Sequence, residues 1–185
     1  MDPSRIAAQG MVRTFQMARV LPGTTALENV LVGAHRRVRA RPWRQALRLG
    51  AATREEATLR TEAAALLEAL GLGARASDPA TELPVGSQKL LELARALMAA
   101  PRVLLLDEPA AGLNDGEAGE LAQAMRDIRA AGITVVVVEH NMSLVMGVAD
   151  DVVVLDLGKR IASGSPAAIQ TDERVIDAYL GKAMA

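Results

Sequence analysis

Short, uninterrupted apolar runs alternate with stretches of helical apolar spacing in the second half of the chain. Val103–Leu106 leads directly into two carboxylates, and Ile133–Val138 leads into a glutamate and a histidine. Such short runs of leucine and valine predict strands buried on both faces, and the segment between them has the length of a helix. Strand, helix and strand in this order predict a parallel sheet. The expected fold class is therefore α/β.

Apolar residues at helical spacing predict most of the remaining elements. A hairpin with its turn at Leu157–Gly158 follows the second strand, and short helices are expected from Ala167 and Arg174. The other predicted helices are a short piece near Pro3–Gly10, a capped helix at Leu27–His35, an amphipathic helix at Arg54–Leu70, a helix from Lys89, and helices at Gly116–Ala131 and Asn141–Ala149.

Composition narrows the class of protein. Half of the 185 residues are hydrophobic, but only one Trp, one Tyr and one Phe occur, so we expect an aliphatic core. The net charge of −1 gives no global basic field for nucleic acid. The absence of cysteine excludes disulfides and thiolate metal sites. No apolar run reaches the roughly 18 residues of a membrane helix, and the first residues lack a secretory signal, so we expect a cytoplasmic domain.

A basic run at Arg36–Arg48 contains the single tryptophan, Trp43. One interpretation is a surface for acidic lipid headgroups. The other is a solvated insertion, which we favour because the run is short and Pro42 interrupts it.

Asp107 and Glu108 stand at the predicted end of a parallel strand, where open α/β sheets bind ligands. An aspartate at this position can hold Mg²⁺, a cation that prefers oxygen ligands and phosphate partners. A neighbouring carboxylate can orient or deprotonate a water for attack on a phosphoryl group. The alternative is that both carboxylates are simply solvated.

The segment LPVGSQ, which contains Gly86 and Ser87, stands directly before a predicted helix. Backbone amides at a helix N-terminus can bind an anion such as phosphate. Most glycine turns before helices are only turns, so this feature gains meaning from the motifs around it.

Five features occur in a fixed order: RTFQ, LPVGSQ, LLLDEP, AGLN and a histidine that ends the next strand. In this order the chain resembles the ATP-binding subunit of ABC transporters. Within that family it looks most like the branched-chain (hydrophobic) amino-acid uptake group, on the segments VRTFQ, LENVLVGAH, LPVGSQKLLELARAL, DEPAAGLN, VEHNMSLVMGVADDVVVLDLGKRIASG and VIDAYLG. The resemblance implies a P-loop NTPase (ABC ATPase) fold with a parallel-sheet core and an α-helical subdomain. It also implies ATP and Mg²⁺ as cofactors, and ATP hydrolysis that energises amino-acid uptake.

The resemblance assigns roles to individual residues. It implies that Gln16 is the Q-loop glutamine, which lies near Mg²⁺ and senses the membrane subunit. Asp107 matches the Walker B aspartate that holds Mg²⁺, and Glu108 matches the catalytic glutamate that activates water. His140 matches the switch histidine that contacts the γ-phosphate. Asn114 falls in the D-loop, which crosses the dimer interface.

Gly86 and Ser87 match the signature motif that binds the nucleotide of a second subunit, and here the chain departs from the family. Pro84 replaces a serine, Val85 replaces a glycine and Ser87 replaces a glutamine. The resemblance divides the chain into a Q-loop segment with residual core at 1–24, a helical subdomain with the signature at 25–100, a catalytic core at 101–165 and C-terminal helices at 166–185.

The implied partners are transmembrane permease subunits and a second ATPase subunit, with no nucleic acid. The implied location is cytoplasmic and peripheral, on the inner face of the cell membrane. No G-x-x-x-x-G-K-[ST] segment occurs in the 185 residues, although the family places this P-loop upstream of the Q-loop. The chain therefore looks like the C-terminal portion of such a subunit, and we expect it to bind ATP very weakly or not at all by itself.

Two other functions are compatible with parts of this sequence. An N-terminally truncated copy would act as a non-catalytic interaction module without its own nucleotide site. An ABC-type ATPase of DNA maintenance would share the C-terminal motifs, but the absence of long heptads and of a basic groove counts against it.

Overall fold

The computed structural model describes residues 6, 9–14, 20–37 and 50–180. Contacts divide the chain into two compact units, Met1–Val138 and Glu139–Ala185, and each is described by itself. Gln16, most of the predicted helix near Pro3–Gly10 and most of the basic run with Trp43 lie outside the described residues.

A parallel sheet forms the centre of the first unit. Its strands are β1 (Met11–Arg13), β2 (Val103–Asp107) and β3 (Thr134–Val138), in the order β1-β2-β3. All described pairings in this sheet are parallel, with Arg13 opposite Leu105 and Asp107 opposite Val138. The predicted α/β fold with a parallel sheet is therefore confirmed, and the carboxyl ends of the three strands lie at one edge.

The expectation that both apolar runs are fully buried was wrong. In β2, Leu104 and Leu106 are buried while Val103, Leu105 and Asp107 are only half-buried. In β3, Val136 and Val138 are 44% and 60% exposed. A continuous apolar run predicts a strand but does not reveal whether both faces are covered, because coverage depends on neighbours distant in sequence. Among the described strands, β3 is the last of its sheet.

The described residues of the first unit also contain four α-helices. They are α1 (Ala26–Val32), α2 (Gly50–Ala69), α3 (Val85–Leu97) and α4 (Asp115–Ala130). Helix α1 packs against α2 and α3, and α4 packs against β3. The largest fully buried side chains here are aliphatic apart from Asn29, as the composition predicted: Leu67, Leu91, Met98, Leu104, Val30 and Asn29.

Local sequence explains where α1 and α2 form. Thr25 and Glu28 make a capping box at the start of α1, in which each side chain accepts a hydrogen bond from the other residue's backbone N–H. On α2, Ala63 and Leu67 are buried on the face that the helical spacing predicted.

In the described part of the second unit, residues 139–180, three short helices pack with a hairpin. Strands β4 (Val152–Asp156) and β5 (Lys159–Gly164) are antiparallel. The turn at Leu157–Gly158 has φ values of 48° and 77°, so the predicted hairpin is confirmed. The helices are α5 (Met142–Val148), α6 (Pro166–Gln170) and α7 (Glu173–Leu180). Val145, Val152, Val154, Ala162, Ile169 and Val175 form its core. None of the described helices in either unit is both long enough and apolar enough to cross a membrane.

Candidate functional site

The chain turns sharply where β2 ends. Glu108 has a φ of 46°, in the left-handed region that non-glycine residues rarely adopt. Its N–H donates to the carbonyl oxygen of Val138 at 2.8 Å, and its carbonyl accepts the N–H of Ala111 at 3.1 Å. Pro109, which follows, is buried. Unfavourable backbone geometry that is held by such hydrogen bonds often occurs at functional positions, so the structure singles out Glu108 independently of its sequence motif.

Asp107 forms an ion pair that the sequence analysis did not predict. Nη2 of Arg13 lies 2.8 Å from Oδ2 of Asp107, and the two side chains are 61% and 32% exposed. The pairing follows from the sheet: β1 and β2 are parallel and Arg13 lies opposite Leu105, so both side chains reach the carboxyl edge. No strand was predicted at 11–13, so the sequence offered no signal for this pair.

The residues at this edge fit Mg²⁺ only together with other ligands. Asp107 offers a hard oxygen ligand, as Mg²⁺ requires. Within the described residues, however, no group of three or more His, Cys, Asp or Glu side chains could hold a metal ion. Protein Mg²⁺ sites commonly use one or two carboxylates and complete the shell with phosphate oxygens and waters. The donor set therefore suits a metal that arrives with a phosphate ligand.

The second half of the predicted signature segment lies inside a helix rather than before it. Helix α3 begins at Val85, so Gly86 and Ser87 occupy its first turn, and Pro84 stands at the N-cap without a capping side chain. Gly86 is buried and Ser87 half-buried. The side chain of Gln88 holds the preceding turn, because Nε2 donates to the carbonyl oxygen of Leu83 at 2.8 Å.

Asn114 caps α4 and is connected to Gly86 through Glu117. Oδ1 of Asn114 accepts the N–H of Glu117 at 3.0 Å, and Oε2 of Glu117 accepts the N–H of Asn114 at 3.1 Å. The second carboxylate oxygen of Glu117, Oε1, accepts the N–H of Gly86 at 3.2 Å. Glu117 was not among the predicted site residues. Its capping-box spacing, Asn-x-x-Glu, was a signal for the first contact but not for the second.

His140 belongs to the second unit and is the second residue after the end of β3 at Val138. Oε2 of Glu139 accepts the backbone N–H groups of His140 at 3.1 Å and Asn141 at 3.3 Å, which fixes the start of α5. The side chain of His140 is 73% exposed, with Nδ1 4.0 Å from Oε2 of Glu139. The structure thus brings Asp107 and Glu108 together at one sheet edge and brings Gly86 and Asn114 together through Glu117. Gln16 lies outside the described residues.

A small cavity in the first unit lies beside the end of β2. Its lining includes Thr14, Leu106 and Pro109, which are chain neighbours of Arg13, Asp107 and Glu108, together with the buried side chains of Lys89 and Glu92. None of the predicted site residues lines it.

Two family models and several known proteins match this chain. A family model described as "ABC transporter" matches residues 2–111, and one described as "Branched-chain amino acid ATP-binding cassette transporter" matches residues 159–185. The chain is 41% identical over 180 residues to the high-affinity branched-chain amino acid transport ATP-binding protein BraF of Pseudomonas aeruginosa. It is 39% identical over 180 residues to LivG of Salmonella typhimurium, which carries the same description. Both alignments cover 97% of this chain and 71% of the relative.

Solved structures of ATP-binding cassettes have a similar fold to this chain. The crystal structure of an ATP-binding cassette of an ABC transporter in its ADP conformation has a TM-score of 0.79 and 30% identity, over 98% of this chain and 72% of that chain. A nucleotide-free ATP-binding cassette gives a TM-score of 0.77 and 30% identity, over 97% and 72%. The resemblance inferred from the motifs is confirmed, and the chain belongs to the ATP-binding cassette family of ABC transporters.

Proposed function

We propose that this chain is the ATP-binding and ATP-hydrolysing subunit of an importer for branched-chain or other hydrophobic amino acids. The observation that carries the proposal is the pair Asp107–Glu108 at the carboxyl end of a parallel strand, with Glu108 held in a rare backbone conformation. Relatives described as branched-chain amino acid transport ATP-binding proteins support the choice of solute. They do not favour a non-catalytic interaction module.

Each predicted residue has a chemical task in this proposal. Glu108 accepts a proton from the attacking water or orients it, because a carboxylate beside the phosphoryl group can do both. Asp107 holds Mg²⁺, which when bound neutralises charge on the phosphates. His140 contacts the γ-phosphate, and Gln16 couples the metal site to the membrane subunit.

Gly86, Ser87 and Asn114 act across a dimer. In our proposal, the Ser87 hydroxyl is a donor to the nucleotide of a second ATPase subunit, while Gly86, whose N–H donates to Oε1 of Glu117, keeps the backbone free of a side chain at this interface. The N-terminus of α3 favours an anion, since its first amides point away from the helix and its dipole is positive there. Asn114, in the turn before α4, reaches the same interface.

The phosphates need further donors. P-loop amides and the P-loop lysine supply most phosphate contacts in this class of enzyme. The 185 residues contain no G-x-x-x-x-G-K-[ST] segment. We therefore propose that tight ATP binding requires a P-loop from outside these residues, and that these residues alone bind ATP weakly.

The partners in this proposal are transmembrane permease subunits and a second ATPase subunit, identical or related. The complex would place the chain on the inner face of the cell membrane, bound to the permease rather than to lipid.

Uptake of radiolabelled leucine by the source cells tests the proposal. The natural gene is changed to encode Asp107→Asn, and Glu120→Gln serves as the control because Glu120 is an exposed acid of α4. We expect leucine uptake to be lost with Asp107→Asn and unchanged with Glu120→Gln, while lysine uptake is unaffected by both. Normal leucine uptake with Asp107→Asn, at normal protein levels, would contradict the proposal.

A further inference from the structure

We propose that Glu117 is a positioning residue that holds two segments, 84–87 and 111–114, in one arrangement. Its carboxylate accepts a backbone N–H from each: Oε1 from Gly86 at 3.2 Å, and Oε2 from Asn114 at 3.1 Å. The importance of the link for ATP hydrolysis rests on the proposed function, in which both segments serve the nucleotide interface. The link itself is a property of the chain alone.

The N-terminus of α3 needs this carboxylate. The first amides of a helix have no partner within the helix, and a serine, threonine, aspartate or asparagine at the N-cap commonly accepts one of them. Pro84 occupies this N-cap and makes no side-chain cap. Glu117 of α4 supplies the missing acceptor from a different helix, and its negative charge is favourable beside the positive end of the helix dipole.

At the other end of the link, Glu117 contacts a residue only three positions before it in the chain. Oδ1 of Asn114 accepts the N–H of Glu117 at 3.0 Å, so the residue that carries the carboxylate is itself fixed to the turn before α4. Glu117 therefore cannot follow Gly86 without also moving Asn114. A displacement of either segment is transmitted to the other through one side chain.

Gly86 has no room for a side chain because of Glu117. A Cβ atom built on Gly86 would lie 2.5 Å from Oε1 and 2.8 Å from both Cδ and Cγ of Glu117. These distances are shorter than carbon contacts allow, so a methyl group at position 86 is incompatible with the observed carboxylate position. A glycine at position 86 leaves free the space that the Glu117 side chain occupies.

Amide hydrogen exchange of the ¹⁵N-labelled 185-residue chain tests the proposal. With Glu117→Ala we expect the amides of Gly86 and Asn114 both to exchange about tenfold faster, the effect of losing one charge-assisted hydrogen bond each. The control Glu120→Ala, on the next turn of the same helix, should change neither. Unchanged exchange at Gly86 in Glu117→Ala would overturn the proposal.

The variant Glu117→Gln separates positioning from general stability. Its amide group keeps one oxygen acceptor but replaces the other with a donor, so only one of the two N–H groups can stay bonded. We expect one of the two amides to keep its protection and the other to lose it, with no change in the remaining amides of α3 and α4. Uniformly faster exchange along both helices would instead show a merely structural role.

A double substitution provides an independent test. We expect Gly86→Ala to lower the thermal midpoint clearly in the presence of Glu117, and only slightly when combined with Glu117→Ala, because the clash is then absent. Additive shifts would contradict the link. None of these measurements uses nucleotide. An assembled importer that hydrolyses no ATP, although Glu117 still accepts the N–H groups of Gly86 and Asn114, would count against the proposed function alone.

Discussion

The guanidinium of Arg13 and the carboxylate of Asp107 form an ion pair across two parallel strands, with Nη2 2.8 Å from Oδ2. Arg13 thus occupies one of the two oxygens of the carboxylate that we propose as the Mg²⁺ ligand. A cation that binds Asp107 is opposed by this guanidinium, because the two positive charges then share one carboxylate.

Replacing Arg13 with methionine should strengthen the response to Mg²⁺. An exposed ion pair contributes at most about 1 kcal/mol, so we expect the Mg²⁺ concentration for half-maximal ATP turnover of the assembled importer to fall about two- to fivefold. Arg174→Met is the matched control, since Arg174 forms an exposed pair with Asp172 at 2.7 Å in the other unit. An unchanged or raised Mg²⁺ requirement with Arg13→Met would contradict the competition.

The exposed valines of β3 predict self-association of the chain in isolation. Val136 and Val138 are exposed on the last described strand of the sheet, and an apolar strand at a sheet edge is a template for pairing with another chain. Val138→Lys should lower the fraction of large species in static light scattering. Thr58→Lys on α2 adds the same charge away from the sheet and should have little effect. Equal effects of both substitutions would show that charge, not the strand, controls association.

Gly33 and Gly119 should respond to alanine in opposite directions. A Cβ atom on Gly33 would overlap the carbonyl oxygen of Arg95, so α1 and α3 would have to separate. Gly33→Ala should lower the free energy of unfolding by about 1–3 kcal/mol. Gly119 lies within α4 with no atom within 4 Å of such a Cβ, and Gly119→Ala should raise it by about 0.5–1 kcal/mol. Urea denaturation measures both, and a shared sign would contradict the packing described.

The capping box of α1 predicts a pH effect on stability. The backbone N–H of Thr25, followed by its hydroxyl, lowers the pKa of Glu28 below its ordinary value of 4.5. A lowered pKa in the folded state favours the folded form when the carboxylate is charged, so this stabilisation is complete above pH 4.5 and lost as the pH falls through the folded-state value. The stability difference between the unchanged chain and Glu28→Gln should therefore shrink on acidification. Urea denaturation across this range would contradict the effect if the difference stayed constant.

Local patterns predicted the elements that depend on neighbouring residues. The apolar run before Asp107, the capping box at Thr25 and the turn at Leu157–Gly158 each contain their own signal, and the structure has a strand, a helix start and a hairpin there. The order of motifs also identified the family, since several independent segments had to agree.

Contacts between distant segments could not be predicted in this way. Nothing near Gly86 in the sequence indicates that Glu117 caps its helix, and nothing near Asp107 indicates its pairing with Arg13. The exposed face of β3 was not predicted for the same reason. An apolar strand has the same sequence pattern whether or not another element covers it. The start of α3 at Val85 was also missed, since the small residues Gly86 and Ser87 are typical of a turn.

ATP turnover by the importer assembled from its natural genes tests the central claim most directly. We expect Glu108→Gln to lower turnover about a hundredfold or more without lowering ATP binding, because the change removes the base and keeps the shape of the side chain. Glu120→Gln should leave turnover unchanged. Turnover that persists with Glu108→Gln would contradict the assignment of hydrolysis to the carboxyl end of β2.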